Sequence, residues 1–249
     1  MKEPSQSEVS SQADQRPHLR SSRQLPPRLH AFAARAAFLG AFVVALTVVV
    51  WHHDGPVRLD RSLLDGYVPN RSSLLYRVSR VFTELGSPAA VIAMALFAAA
   101  VIWTRRRSWM HAAVCVVAPA AAGITEMSAK LIVARPRPVT ASLTGEGGMG
   151  FPSGHATGFA ALAFILALVV PRNRRSRVGA LVGALVLSAL MAASRVVVGA
   201  HYPTDVIAGM ILGGVIADAT WLAARLVLSD RTGQNNRHRT ADRTYGGIA

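Results

Sequence analysis

Six stretches of this chain are almost wholly apolar, and polar segments separate them. The runs are Ala36–Trp51, Ala89–Thr104, Met110–Val133, Ala156–Val170, Val178–Ala193 and Thr204–Leu228. A helix that crosses the hydrocarbon of a bilayer takes about 20 mostly apolar residues. The runs meet or approach that length, so the pattern predicts six transmembrane helices. The last four are rich in alanine, glycine and serine, which lets helices pack closely in lipid. A seventh segment differs in kind. Leu74, Leu75, Val78, Val81, Phe82 and Leu85 recur at helical spacing, with Arg77, Arg80 and Glu84 between them. That spacing predicts an amphipathic helix, either packed over the bundle or lying in the interface. Packing over the bundle is the plainer expectation. The pattern contains no repeat of solenoid length. The fold class that follows is all-α, an integral membrane bundle of six transmembrane helices.

An even number of spans puts both termini on one side. Basic residues then choose the side. With both termini inside, the inner segments hold Arg16, Arg20, Arg23, Arg28 and Arg35, then Arg105 to Arg107, then the four arginines between Arg172 and Arg177. The outer segments mix fewer cations with acids. The expected placement is therefore a multi-pass protein of the plasma membrane with both termini cytoplasmic.

Composition fits this placement. Hydrophobic residues make up 51% of the 249, although both ends of the chain are polar. The formal net charge of +14 would suggest nucleic acid in a soluble protein. Here the cations lie in tails and short loops between apolar runs, without aromatic interleaving or zinc spacing, so no nucleic-acid partner is expected. Cys115, the single cysteine, excludes an intrachain disulfide. The domain plan is a disordered cytoplasmic tail over 1–30, a membrane domain over 31–230, and a second cytoplasmic tail over 231–249.

The polar residues at the ends of runs three to six carry the chemistry. Lys130, Arg135 and Arg137 close run three. Ser153, Gly154 and His155 open run four. Ser194 and Arg195 close run five, and His201 and Asp205 open run six. By the parity of the spans they share one layer at the outer membrane face. Cations so near hydrocarbon require partners or functions.

These residues form three motifs in order: KLIVARPRP (130–138), FPSGH (151–155) and SRVVVGAHYPTD (194–205). The pattern resembles the type 2 phosphatidic acid phosphatase family, which is similar in its site to vanadium haloperoxidases and bacterial acid phosphatases. The resemblance runs from about Asp60 to Leu228, and no motif position departs from it. It implies a metal-independent lipid phosphate phosphatase that needs no cofactor. His201 would attack phosphorus and carry the phosphoryl group, a task suited to neutral imidazole near pH 7. Asp205 would orient that ring and stabilise its positive charge. His155 would protonate the leaving oxygen and later activate water. Lys130, Arg137 and Arg195 would bind the phosphate, with Ser153 and Gly154 at the start of a helix whose free N–H groups suit an anion. The substrate would be a lipid phosphomonoester or diphosphate such as phosphatidate, phosphatidylglycerophosphate or undecaprenyl diphosphate. Two alternatives share these residues: a lipid-linked phosphotransferase, and a non-enzymatic lipid-binding or transport protein.

A metal site of His155, His201 and Asp205 competes with this reading, but three adjacent cations would repel a divalent ion. Glu126, four residues before Lys130, is placed to pair with it along one helix face. Asp218 is an ionisable group inside run six and lies outside every motif. His52, His53 and His111 sit at run ends and are expected to have no catalytic role. The glycine-rich stretch from Val139 to Gly150 is expected to be a flexible lid.

Overall fold

The computed structural model describes residues 27–52, 56–64, 66–145 and 147–245. Eight α-helices follow in order among these residues: α1 (Pro27–Trp51), α2 (Arg58–Leu64), α3 (Leu74–Glu84), α4 (Pro88–Arg106), α5 (Trp109–Val133), α6 (Gly154–Val169), α7 (Arg174–Val197) and α8 (Pro203–Tyr245). A 3₁₀ turn, Val139–Thr144, lies between α5 and α6. The remaining regular feature among the described residues is an isolated bridge between Pro136 and Met149. Polar residues at the run ends set the helix starts. Ser87 accepts from the Ala90 N–H with Pro88 in the first turn, and Asn173 accepts from the Ser176 N–H.

Four helical segments are long and apolar enough to cross a membrane: Pro88–Arg106, Trp109–Val133, Arg174–Val197 and Pro203–Leu228. Gly40–Trp51 and Gly154–Val169 are apolar but shorter. Large apolar side chains such as Phe97, Ile124 and Leu131 point outward from the bundle and are more than two-thirds exposed. Such a surface is costly in water and ordinary against lipid tails.

The short helix α6 is the axis of the bundle, packed against α4, α5, α7 and α8. Its Ala160, Ala161 and Ile165 are fully buried, as are Cys115 and Ala118 of α5 and Ala217 of α8. The α6–α8 approach depends on two glycines one helical turn apart. A Cβ on Gly209 would stand 2.7 Å from the Ser153 carbonyl oxygen, and one on Gly213 would press on the Thr157 carbonyl oxygen and lie 2.8 Å from the Ala161 nitrogen. Both obstacles are backbone, so neither can swing aside. Gly213→Ala is therefore expected to destabilise the protein by about 1–3 kcal/mol, the usual cost of overpacking. Thermal unfolding in detergent checks this, and the variant should unfold below the wild-type temperature.

Two elements differ from the sequence expectation. In α3 the buried residues are Tyr76, Ser79 and Thr83, packed against α7. Leu74, Leu75, Val78, Val81 and Leu85 face outward. Apart from Phe82, which packs against Phe159 of α6, the apolar stripe thus does not cover the bundle. The small polar face does, because Thr83 and Tyr76 have partners there, and the apolar face suits an interface. In the second case, α8 continues as helix to Tyr245, through much of the segment expected to be an unstructured tail. No proline interrupts it after Pro203, so nothing local forces a stop. The N-terminal tail lies outside the described residues up to position 26, as does His53.

Candidate active site

Three helix junctions build the site. α5 ends on Ala134 in the left-handed region (φ 49°), which turns the chain into Arg135 and Arg137. α6 begins at Gly154 after the cis Phe151–Pro152 peptide. α7 ends near Arg195, and the turn through Gly199 (φ 77°) delivers His201 to the start of α8. A Cβ on Gly199 would meet Pro69 at 2.7 Å and Thr140 at 2.9 Å, so this turn requires glycine twice over. The stretch expected to be a flexible lid is tied down at both ends. The Gly150 N–H donates to the Arg135 carbonyl at 2.7 Å, and Thr140 Oγ1 donates to the Gly199 carbonyl at 2.7 Å.

His201 is 1% exposed and sits between two partners. Its Nδ1 is 3.5 Å from Asp205 Oδ2, and its Nε2 is 2.9 Å from Arg137 Nη1. Arginine only donates, so Nε2 is the acceptor and the ring proton belongs on Nδ1, facing the carboxylate. That tautomer leaves the Nε2 lone pair aimed toward the arginines. Burial pushes the imidazole below its ordinary 6.5, to about 4. Asp205 pulls it back up, and Arg137 and Arg195 add to the depression. The ring is thus neutral at pH 7 and stays neutral until the pH falls through the region near 4. The acidic limb of kcat/KM should lie near pH 4 rather than 6.5. A pH–rate profile, corrected for the substrate's own second phosphate ionisation near ~6, checks this.

Arg195 is 1% exposed and donates to Thr83 Oγ1 of α3 at 2.9 Å. Arg137 also donates to the Ala200 carbonyl at 3.1 Å. Lys130 pairs with Glu126 at 2.5 Å, one turn earlier on α5. Glu126 in turn lies against the α6 N-terminus, where a Cβ on Gly154 would stand 2.9 Å from its Oε1. The pairing expected from sequence is present. Ser153 is fully buried, its N–H donates to the Asp205 carbonyl at 3.0 Å, and its Oγ has no hydrogen-bond partner among the described residues.

Lys130, Arg137, Gly154, His155 and His201 all line one cavity of about 430 Å³. From this polar end it descends between α4 and α5, past Val91, Ala95 and Leu96 on one side and Gly123, Pro119 and Val116 on the other. At 1.5 Å per residue, Lys130 to Val116 spans about 21 Å of α5. A charged head and a long apolar tail fit this shape. Every site residue expected from sequence comes to this junction: the cavity takes five, and Ser153, Arg195 and Asp205 stand directly behind. No set of three His, Cys, Asp or Glu side chains is placed as metal ligands among the described residues.

Two residues that sequence reasoning missed, Asp60 and Thr83, complete the surroundings, together with Tyr202 and Thr204 at the start of α8. Arg135 was noted only for its charge. It is buried, not exposed, and pairs with Asp60 and Asp205. The signal for Asp60 was the rule that a buried cation requires an anion. Asp218 is also buried, on α8 and away from the cavity. His111 sits against Ser108 Oγ (2.6 Å) and edge-on to Trp221, at the far end of α5.

The site thus combines a buried histidine, a carboxylate beside it, a second histidine and clustered cations. Residues 109–227 match the model of the PAP2 superfamily. It is 44% identical over 64 residues to a lipid A 1-phosphatase of Rhizobium etli, covering 26% of this chain and 25% of that protein. It is 33% identical over 130 residues to the decaprenylphosphoryl-5-phosphoribose phosphatase of Mycobacterium tuberculosis, covering 49% of this chain and 65% of that one. The aligned parts thus span less than two thirds of both relatives. The fold is like the crystal structure of a transmembrane PAP2-type phosphatidylglycerolphosphate phosphatase from Bacillus subtilis. The TM-score is 0.67 at 23% identity, over 74% of this chain and 93% of that one.

Proposed function

We propose that this protein hydrolyses the phosphate of a membrane lipid, a phosphomonoester or diphosphate, through a phosphohistidine at His201 and without a metal ion. The observation that carries this reading is the cavity. It joins two histidines and two cations at one end to a long apolar channel between α4 and α5 at the other. The relatives' names point the same way: their substrates are a lipid A phosphate, a prenyl-linked ribose phosphate and phosphatidylglycerophosphate.

The chemistry follows from the partners. The arriving phosphate takes the hydrogen bonds of Arg137 and Lys130, and the Arg137 bond to Nε2 gives way, which frees the lone pair. Arg195 and the N-terminus of α6 meet the remaining oxygens. Nε2 attacks phosphorus in line, and the bond from phosphorus to the lipid oxygen breaks. His155 donates the proton that oxygen needs. The charge gained by the His201 ring faces Asp205 through Nδ1–H. His155 then takes a proton from water, the resulting oxygen attacks phosphorus, and inorganic phosphate leaves with His201 neutral again.

The proposed setting is six membrane spans with both termini cytoplasmic and the site facing outward. Arg105 to Arg107 and the arginines of 172–177 then mark the inner face, at the opposite ends of α4 and α7 from the site. The membrane domain spans 31–230, with 1–30 and 231–249 as cytoplasmic segments. Phosphate release by the purified protein in detergent with EDTA tests the activity. The panel is phosphatidate, phosphatidylglycerophosphate and undecaprenyl diphosphate. EDTA-resistant release from at least one is expected. Lipid dephosphorylation without free phosphate would instead indicate transfer to another acceptor.

A further inference from the structure

Behind His201, on the side away from the cavity, three charged groups from distant parts of the chain are buried together. Asp60 lies on α2 and is fully buried. Arg135 follows α5 and is 3% exposed. Asp205, in the first turn of α8, is fully buried. Arg135 Nη2 meets Asp60 Oδ2 at 2.5 Å, and its Nη1 meets Asp205 Oδ1 at 2.5 Å. The same Nη1 donates to Thr204 Oγ1 at 2.8 Å, and the guanidinium lies over the Tyr202 ring, 4.5 Å from its centroid. Asp60 completes the lattice by accepting from the Thr204 N–H at 3.0 Å and Thr204 Oγ1 at 2.9 Å. Asp205 is left with Oδ2 for the Tyr202 N–H (3.0 Å) and for His201 Nδ1 (3.5 Å).

A buried ion triad is a poor source of stability, because desolvation offsets most of the attraction. Orientation is what this one supplies. A carboxylate held through one oxygen alone could rotate about its Cβ–Cγ bond. Held through Oδ1 by Arg135 and through Oδ2 by Tyr202, Asp205 presents a fixed lone pair to the imidazole. We propose that Asp60 and Arg135 are positioning residues for the His201–Asp205 pair, and that together they set the charge behind the nucleophile. Neither lines the cavity, and both are engaged behind His201 with Asp205 and Thr204, so the proposal gives neither a contact with substrate. This inference rests on the phosphohistidine reading above.

The charge balance gives opposite signs for the two residues. Asp60, Arg135 and Asp205 together carry one net negative charge. Removing the arginine leaves two, which favours the imidazolium and raises the pH at which His201 becomes neutral. Removing Asp60 leaves none, which disfavours it. The other groups that face the ring stay the same in both variants: Arg137, Arg195 on α7, Lys130 and Glu126 on α5, and His155 on α6. A purely structural role predicts no such opposition.

The test is the pH profile of kcat/KM, with kcat and KM resolved, for wild type, Asp60→Asn, Arg135→Gln and Arg135→Lys. Folding is checked by gel filtration in detergent. In Arg135→Gln the acidic limb should move up by about half a pH unit or more. In Asp60→Asn it should stay at or below the wild-type position. Both should lose about 10- to 100-fold in kcat with little change in KM, as expected when a reacting group is displaced. Arg135→Lys keeps the charge but not the fork, so its limb should match wild type while kcat falls. An unmoved limb in folded Arg135→Gln, or a raised limb in Asp60→Asn, overturns the proposal. If neither neutral variant folds, Arg135→Lys decides it, and full wild-type kcat there overturns it. A wild type that releases no phosphate at all refutes the phosphohistidine reading itself. An active wild type with these contrary profiles refutes the positioning role alone.

Discussion

His201→Ala is expected to release no measurable phosphate from any lipid the wild type hydrolyses, a loss of about 10⁵-fold or more. On the proposed mechanism the His201 Nε2 is the atom that attacks phosphorus. Its Nε2 faces Arg137, and its Nδ1 lies 3.5 Å from Asp205 Oδ2. Substrate binding should largely persist, because Lys130, Arg137 and the apolar channel remain. Single-turnover kinetics with separate binding measurements would resolve the two effects. A variant that retains even a hundredth of wild-type turnover would move the nucleophile elsewhere.

Arg195→Ala is the second large effect, about 10³-fold in kcat/KM, near 4 kcal/mol of transition-state stabilisation. Arg195 is among the largest fully buried side chains and lies against both Thr83 and the His201 environment. On the proposed mechanism its loss removes a cation that offsets the charge on the three phosphate oxygens. It also leaves Thr83 without that donor and opens a void behind the ring. Unlike His201→Ala, this change should raise KM as well as lower kcat, if the cation holds the phosphate in the ground state and holds it more strongly in the transition state. Arg195→Lys should recover part of the loss, because charge returns without the fork. Wild-type kcat/KM in Arg195→Ala would remove this residue from the phosphate site.

The clustering of the candidate residues was legible because of where they stand. Lys130, Ser153, Arg195 and His201 each lie at the end of an apolar run, and parity alone puts those ends on one side. Glu126 and Lys130 were legible as a pair because spacing on one helix is local information. Asp60 was not, because its partner Arg135 is 75 positions away in sequence and only the folded chain brings them together. The orientation of α3 failed for a related reason. Helical periodicity locates an apolar face, but in a membrane protein that face can turn outward, since lipid is as good a solvent for leucine as the core. The stretch Val139–Gly150 read as a lid from its glycines. Two of them, Gly145 and Gly148, have positive φ. Their freedom serves turn geometry, while Gly150 and Thr140 anchor the stretch to its neighbours.

The most direct test of the account is to trap the phosphorylated protein. A lipid substrate labelled in its phosphate would be mixed with enzyme in excess, quenched in base within one turnover, and the peptides mapped by mass spectrometry. The account predicts label on His201 that decays with a rate matching phosphate release, and no label in His201→Ala. Phosphate released within that turnover with no label on His201, or label on a different residue, would contradict it.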